Sequence, residues 1–324
     1  MFPLQQHVYH YTTSQRAVEH VLQSFTLRMG SFKGLNDPRE AKTWPFRLYA
    51  QSPETLASFP PDLFSRISEF ITSKSLILCC VQDDPTVIED HEDRMLRSGF
   101  GHPRMWAQYG ENHKGVCLVL DQQKLHAAIV ATLGSDNLFS GPVNYLNTTY
   151  GPVAQNGSSA YDLAYVEPLL EHGLGTILEP YIRRFHRDLF FTKHLDWRDE
   201  WEYRWVYRSK DGEPVFIPIA QCLEAVILGA DCDEVTSDRL IHQCQDHGVP
   251  AYRAFWHGWA MSLMPAVAQQ GQILSLNGIS YNMTIPCSGV FVQAHDQYGQ
   301  VQPLLIDNEG HVRFIGATSE SGDS

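Results

Sequence analysis

The run Lys193-His194-Leu195-Asp196-Trp197-Arg198-Asp199-Glu200-Trp201-Glu202-Tyr203-Arg204-Trp205-Val206-Tyr207-Arg208 gathers acids, bases and aromatics into one segment. From Glu202 onward, aromatic or β-branched residues occupy nearly every other position, which suits a pleated, half-buried strand. Alternation over a strand at 200–207 predicts Glu200, Glu202 and Arg204 on one face and Trp201, Tyr203 and Trp205 on the other. Two carboxylates and a guanidinium are costly to bury. Such a face either borders a cleft or is paired off, Glu202 with Arg204, as a structural ion pair. In a water-excluded cleft, one carboxylate can stabilise a developing positive charge and a second can act as a general base.

Other candidates for chemistry are scattered. His10 ends an apolar stretch and reads equally as a satisfied core histidine. His186-Arg187-Asp188-Leu189 matches the start of a kinase catalytic loop, but Lys193 stands where the asparagine belongs, and there is no glycine-rich loop or Asp-Phe-Gly. Cys232, His242, Cys244 and His247 fit no closed zinc spacing, and a helix would fan them around its axis. Arg183-Arg184-Phe185-His186-Arg187 is the one dense basic run; it reads as a solvated helix face with some capacity to meet phosphate or a partner. Gly-x-Ser-x-Gly, His-Glu-x-x-His and phosphate-loop motifs are absent from the sequence.

Elements that could position these groups follow from patterning. Val8–Tyr11 reads as a first strand, Thr12–Ser14 as a cap, and the stretch to Ser24 as a helix presenting Ala17, Val18, Val21 and Leu22. Phe25–Met29, the apolar run Leu76–Val81 and Gly115–Asp121 read as strands, with Leu76–Val81 central. Leu35–Glu40 reads as a turn. Helices are expected around 63–71, at 105–109 and over 122–132. A further short strand is expected at 143–145, a Gly/Asn/Ser-rich excursion at 148–159 and mostly helix from 162 to 194. Ala225–Gly229, a helix near 237–245 and a strand at 250–254 complete the main unit. Past about residue 260 come short alternating runs split by Asn277-Gly278, Gln297-Tyr298-Gly299 and Asp307-Asn308-Glu309-Gly310, which are hairpin signals. The expected fold class is α+β, a mixed β-sheet core with helices over residues 1–262. A small β-hairpin appendage and frayed tail follow at 263–324, read as an interaction or oligomerisation surface.

Composition narrows the classes. The 324 residues are 43% hydrophobic, enough for a core, and the formal net charge of −13 argues against a general affinity for nucleic-acid backbone. The seven cysteines are odd in number and irregularly spaced, so a disulfide framework is not expected, and a reducing cytoplasm fits. Cys79, Cys80 and Cys117 read as small core hydrophobes. The start of the chain lacks a basic region followed by an apolar stretch, so no signal peptide is expected, and no apolar run is long enough to span a bilayer.

Four pieces taken in order carry a resemblance. They are Val8-Tyr9-His10-Tyr11-Thr12-Thr13; Leu35-Asn36-Asp37-Pro38-Arg39-Glu40; the stretch from Met105-Trp106-Ala107-Gln108-Tyr109 to His113-Lys114-Gly115-Val116-Cys117; and Lys193 to Arg204. Together they resemble the bacterial domain-of-unknown-function family DUF2971 over roughly residues 8–256, with Leu35 where that family usually has phenylalanine. That resemblance supplies no activity. A second one, to the opening of ADP-ribosyltransferase folds, rests on a strand ending in His10 and Tyr11, then a helix, then a turn with Leu27 and Gly30. It implies an NAD-using transferase, with NAD as substrate. By position, His10 would hold NAD, with Tyr11, Thr12 and Asn36 beside it. Trp106 or Tyr109 would stack on nicotinamide, Glu202 would be the late glutamate and Glu200 its competitor. Lys193, Arg204 or Arg28 would meet the phosphates. The middle-strand motif of that superfamily is not legible, and 82–100 does not align with it. The implied setting is a bacterial toxin, effector or antiphage defence protein acting on an acceptor macromolecule. A related nucleotide-handling enzyme, such as an NAD glycohydrolase or RNA 2′-phosphotransferase, and a non-catalytic binding module are the alternatives.

Overall fold

The computed structural model describes residues 6–32, 35–42, 44, 46–49, 54, 57, 59–84, 94–147, 162–164, 173–257, 260–266, 272–276, 279–283, 291–295, 301–306 and 312–314. The strands up to residue 265 are β1 (His7–Thr12), β2 (Thr26–Ser31), β3 (Arg47–Tyr49), β4 (Ser75–Gln82), β5 (Val116–Asp121), β6 (Leu138–Pro142), β7 (Asn144–Leu146), β8 (Asp162–Ala164), β9 (Thr192–His194), β10 (Glu202–Arg208), β11 (Val215–Pro218), β12 (Leu223–Leu228), β13 (Ala251–His257) and β14 (Ala260–Pro265). The helices that matter below are α1 (residues 14–24), α2 (Pro38–Ala41), α3 (Leu63–Ser73), α4 (Pro103–Gln108), α5 (Gln122–Leu133), α6 (Leu174–Phe190) and α7 (Glu234–Asp246). The architecture is mixed α/β around a ten-stranded mixed sheet whose main path runs β11-β2-β4-β1-β5-β12-β13-β14. All of its pairs are antiparallel except β12 with β13, which are parallel and joined through α7.

Apolar patterning explains the layers. On β5, Val116, Leu118 and Leu120 face one side and join Ala17, Val18, Val21 and Leu22 of α1, Leu125 and Ile129 of α5, and Leu240, Ile241 and Cys244 of α7. Cys117 and Val119 face the other side with Tyr9, Tyr11, Phe100, Met105 and Trp106. A third cluster packs Ile67 and Ile71 of α3 and Leu178 and Ile182 of α6 on Ile77 and Val206. Strands covered on both faces read as continuous apolar runs, as β4, β5 and β12 do. Each fully buried Leu, Ile or Phe contributes about 1.5–3 kcal/mol.

The helix starts are chemically specified. Thr13 caps α1 by accepting from Arg16 N, Asp121 caps α5 from Lys124 N, and Asp233 caps α7 from Thr236 N. A π-turn spans Ala17–Val21 within α1.

Several expectations are redrawn. Among the described residues of the stretch 162–194, Leu174–Phe190 is helix and Asp162–Ala164 and Thr192–His194 are strands; 165–172 lie outside the described residues. The strand expected at 200–207 begins at Glu202, because Leu195–Glu200 form a 3-10 turn and Trp201 has a left-handed backbone. The excursion at 148–159 and most of the loop after Gln82 lie outside the described residues. Strand β14 pairs with β13 from His257–Ala260 to Tyr252–Pro265, so the expected boundary after 262 falls inside a strand of the main sheet. Beyond it, Gln272–Leu276, Ile279–Met283, Phe291–His295, Val301–Ile306 and Val312–Phe314 form an antiparallel five-stranded meander in sequence order. No helix among the described residues is long and apolar enough to cross a membrane.

Candidate functional site

A split in the sheet makes the site. β4 pairs along one edge with β10, from Glu202–Val81 to Arg208–Ser75. Its other edge is shared. β1 takes Gln82 and Val81, and β2 takes Ile77 and Leu76. Between them, Cys79 O is met by the His10 ring, whose Nδ1 lies 3.0 Å away. A carbonyl oxygen only accepts, so Nδ1 carries the proton and Nε2 keeps its lone pair. Burial lowers the pKa of His10, against the opposing pull of the Cys79 bond, so the ring is neutral at pH 7.

A cavity of about 140 Å³ opens at this split, walled by His10, Asn36, Cys79, Tyr109, Lys193, Glu200 and Glu202 with a mostly apolar remainder. Tyr9, Tyr11, Leu35, Cys80, Val81 and Met105 complete the wall. The first-strand histidine and the late glutamate therefore border the same hollow.

Beneath it lies a buried charge network. Arg204, fully inaccessible, donates from Nε to Glu202 Oε1 at 2.7 Å and from Nη2 to Glu202 Oε2 at 2.9 Å. Its remaining donors reach both carboxylate oxygens of Glu40 and, at 2.7 Å, Phe190 O. Lys193 Nζ bridges Glu200 Oε2 at 2.7 Å and Glu202 Oε2 at 2.9 Å. Lys193 is held in place because β9 pairs with β7, Lys193 opposite Tyr145, and the Tyr145 hydroxyl accepts from Glu202 N at 2.9 Å. Burial would raise the Glu202 carboxyl, but Arg204 and Lys193 outweigh it and bring it down to about 2. For Glu40 burial wins over Arg204 and the pKa is raised. Burial disfavours the Lys193 ammonium, yet Glu202, Glu40 and Glu200 overcome this and raise its pKa.

Local sequence accounts for these positions. In Asn36-Asp37-Pro38-Arg39-Glu40, the Asp37 side chain caps α2 by accepting from Arg39 N, Pro38 takes the first helical position, and Glu40 is carried in the first turn toward Arg204. Asn36 donates its amide to the Tyr109 hydroxyl, which in turn donates to Glu200 Oε1 at 2.7 Å. Trp201, at φ 44°, reverses the chain between the 3-10 turn and β10, so Glu200 and Glu202 meet the same cavity without relying on strand alternation.

The Trp106-to-Val116 motif is a scaffold beside the cavity. Trp106 is fully buried, donates to Phe100 O at 2.8 Å and lies near-parallel to the His113 ring, 6.3 Å away and inclined 14°. Glu111, Asn112 and His113 all have left-handed backbones, with φ of 53°, 52° and 67°. Glu111 accepts from both Ser14 N and Ser14 Oγ at 3.0 Å, tying this turn to the start of α1. A Cβ on Gly115 would collide with Thr12 O, which is why that position is glycine.

Of the residues expected at a site, His10, Tyr11, Asn36, Tyr109, Lys193, Glu200 and Glu202 border the cavity. Thr12, Trp106 and Arg204 do not. Thr12 pairs with Val116 on β5, Trp106 is a core residue, and Arg204 lies under the cavity floor with its donors occupied by carboxylates and Phe190 O. That occupancy withdraws Arg204 as a phosphate ligand. Arg28 on β2 is exposed and outside the cavity wall. Glu40 and Tyr145 carry no site role in the sequence reading, and Cys79, read there as a small core hydrophobe, lines the cavity. Glu40 stood in the quoted turn motif, but nothing in sequence spacing links it to an arginine 164 positions later. No group of three or more potential metal ligands occurs among the described residues.

The split sheet and its cavity define a mixed α/β protein with a hollow bordered by a histidine, a lysine and two glutamates. Residues 105–205 match the family model described as a protein of unknown function (DUF2971). The match takes in α4 from Met105 onward, the left-handed turn, β5, Lys193, both cavity glutamates and Arg204. Nothing among curated proteins or solved structures matches the chain.

Proposed function

We propose that the cavity receives the nicotinamide end of NAD and that the protein is an ADP-ribosyltransferase-like enzyme. The observation that carries this is the convergence of neutral His10, Tyr109 and two glutamates, one firmly ionised, on a hollow at the sheet split. Heterolysis of the nicotinamide–ribose bond sends its electron pair to the departing ring nitrogen and leaves positive charge on the sugar carbon. An ionised carboxylate fixed by Arg204 and Lys193 stabilises that charge without reorganising. Glu200 then accepts the proton of the acceptor nucleophile as it attacks. Tyr109 offers an aromatic face to the pyridinium, a contact of about 0.5–2 kcal/mol, and Nε2 of His10 accepts from a ligand donor.

Size refines the reading. At about 140 Å³ the hollow is smaller than the usual drug-sized pocket, so we assign it one ring system and not the whole dinucleotide. The rest of NAD would lie outside the mouth. The toxin, effector or defence setting belongs to this same proposal.

Incubation with NAD labelled in the nicotinamide ring should release nicotinamide, and Glu202→Gln should lower the rate at least about 100-fold while the fold persists. Release without transfer to any macromolecule would favour a glycohydrolase. A second reading, a non-catalytic binding module, draws on the clamp of Arg204 and Lys193 around the Glu202 carboxylate. It is the one that survives if nicotinamide is not released and Glu202→Gln alters only the melting temperature.

A further inference from the structure

A second cleft, about 290 Å³, lies at the far end of β10. Glu202 begins that strand and Arg208 ends it, so at roughly 3.3 Å per residue the two sites are about 20 Å apart. Lys74, Arg183, Arg208 and Lys210 line the cleft, with Asn137, Ser209 and a single carboxylate, Glu179. Four cations against one acid leave a surplus of three positive charges, in a chain whose formal net charge is −13.

The cations are built in. Arg208 is buried, with Nη1 donating to Ile71 O at 2.6 Å and Ser75 Oγ at 2.8 Å, and Nη2 donating to Glu179 Oε1 at 2.6 Å. This also occupies a carbonyl of the last turn of α3 that would otherwise repel an anion. Arg183, from the basic run, is oriented by Asp136 O at 2.8 Å and by the Asn137 side chain. Ser209 N donates to Lys74 O at 2.8 Å, closing the floor. Among the described residues, no carboxylate lies within ion-pairing distance of Lys74, Arg183 or Lys210. The other nearby acid, Asp211, is exposed and held in its own turn by Ser209 Oγ.

We infer that this cleft is a binding site for the phosphate of a small phosphomonoester of about nucleotide size. Arg208 is occupied by Glu179, Ile71 O and Ser75 Oγ and adds background charge, so direct contact falls to the Arg183 guanidinium and the Lys74 and Lys210 ammonium groups, which suit a dianion, while serine and amide groups supply neutral hydrogen bonds. The concave shape and modest volume favour a small molecule over a polymer backbone, which requires an extended basic surface.

Calorimetric titration at constant ionic strength tests this with adenosine 5′-monophosphate, ribose 5-phosphate, inorganic phosphate and adenosine. The phosphate-bearing probes should bind saturably at one site and adenosine should not. Inorganic phosphate binding as tightly as the esters would place recognition in the anion itself and agree with the inference. Arg183→Gln with Lys210→Gln should weaken binding at least tenfold; both side chains are at the surface, so the fold is retained. Glu202→Gln should leave binding unchanged, which separates this site from the cavity whatever the fate of the NAD reading. Equal binding of adenosine and its monophosphate, or wild-type affinity in the double variant, would overturn it. So would tighter binding of single-stranded RNA with a steep salt dependence, which would make the cleft part of a polymer-binding surface.

Discussion

Replacing Arg204 by methionine strips the buried network of its central cation. Five donor contacts disappear, four of them to Glu40 and Glu202. Glu202 retains Lys193 at 2.9 Å, whereas Glu40 has no other side-chain bond among the described residues. Breaking a buried ion pair by removing one partner costs about 3–5 kcal/mol. Against a typical stability of about 5–15 kcal/mol, that is about a fifth or more of the total. In a chain this size each kcal/mol moves Tm by about 2–4 °C, so a fall of about 6–20 °C is expected. Urea unfolding followed by circular dichroism at pH 7 gives the free energy directly.

The pH dependence carries a sign. Glu202, lowered to about 2 by its cations, stabilises the wild-type fold fully above its unfolded pKa, and that contribution is lost as pH falls through about 2. A drop from 4.5 to about 2 corresponds to about 3 kcal/mol. Glu40 acts oppositely. Its raised pKa gives stability that is present below the unfolded value and lost as pH rises through the folded one. Without Arg204 both carboxyls should titrate higher, so Arg204→Met should recover relative to wild type as the pH is lowered from 7 toward 5. A loss below about 1 kcal/mol at pH 7, with no relative recovery on acidification, would refute the claim that these charges depend on one another.

Tyr109→Phe removes the hydroxyl that joins Asn36 to Glu200; it should cost about 1 kcal/mol in urea unfolding and a larger factor in ligand binding or turnover. His10→Ala should mainly weaken binding, seen as a raised KM for NAD with the Tm reduced only modestly. Gly229→Ala would drive a methyl group into the backbone at His113 and should destabilise by about 1–3 kcal/mol or more, read as a lower Tm, while Gly248→Ala meets no neighbour and would be limited by its φ of 66°.

The sequence was most legible where burial is two-sided. Leu76–Val81, Gly115–Asp121 and Ala225–Gly229 announced themselves as central strands because each is an unbroken apolar run, and the Thr13 cap marked the start of α1. The narrow strands β3, β8 and β9 have three residues each, too few to display a period, and carry no strand signal in the sequence, whereas β7 falls within one residue of the short strand expected at 143–145. The site was partly legible. His10 and Glu202 could be proposed together from motif order, but that they share a cavity depends on β4 dividing one edge between β1 and β2, a long-range pairing with no local signature. Trp106 looked like a ligand platform because aromatics serve both cores and sites. Its full burial and bond to Phe100 O assign it to the core. Glu200 reached the cavity for a different reason than alternation suggested, since a left-handed Trp201 does the turning.

The turn at Glu111–Asn112–His113 has a consequence of its own. Three successive L-residues run there against the handedness their chirality favours, at about 1–2 kcal/mol each. This conformation survives only while its surroundings are stiff: Ser14 grips Glu111, Asp231 N holds His113 O at 2.9 Å, and two glycines crowd the backbone alongside. The short loop is therefore a coiled spring pinned at both ends. A mirror-image D-residue at position 112, which would sit in that conformation at ease, should relax it and leave the molecule harder to unfold.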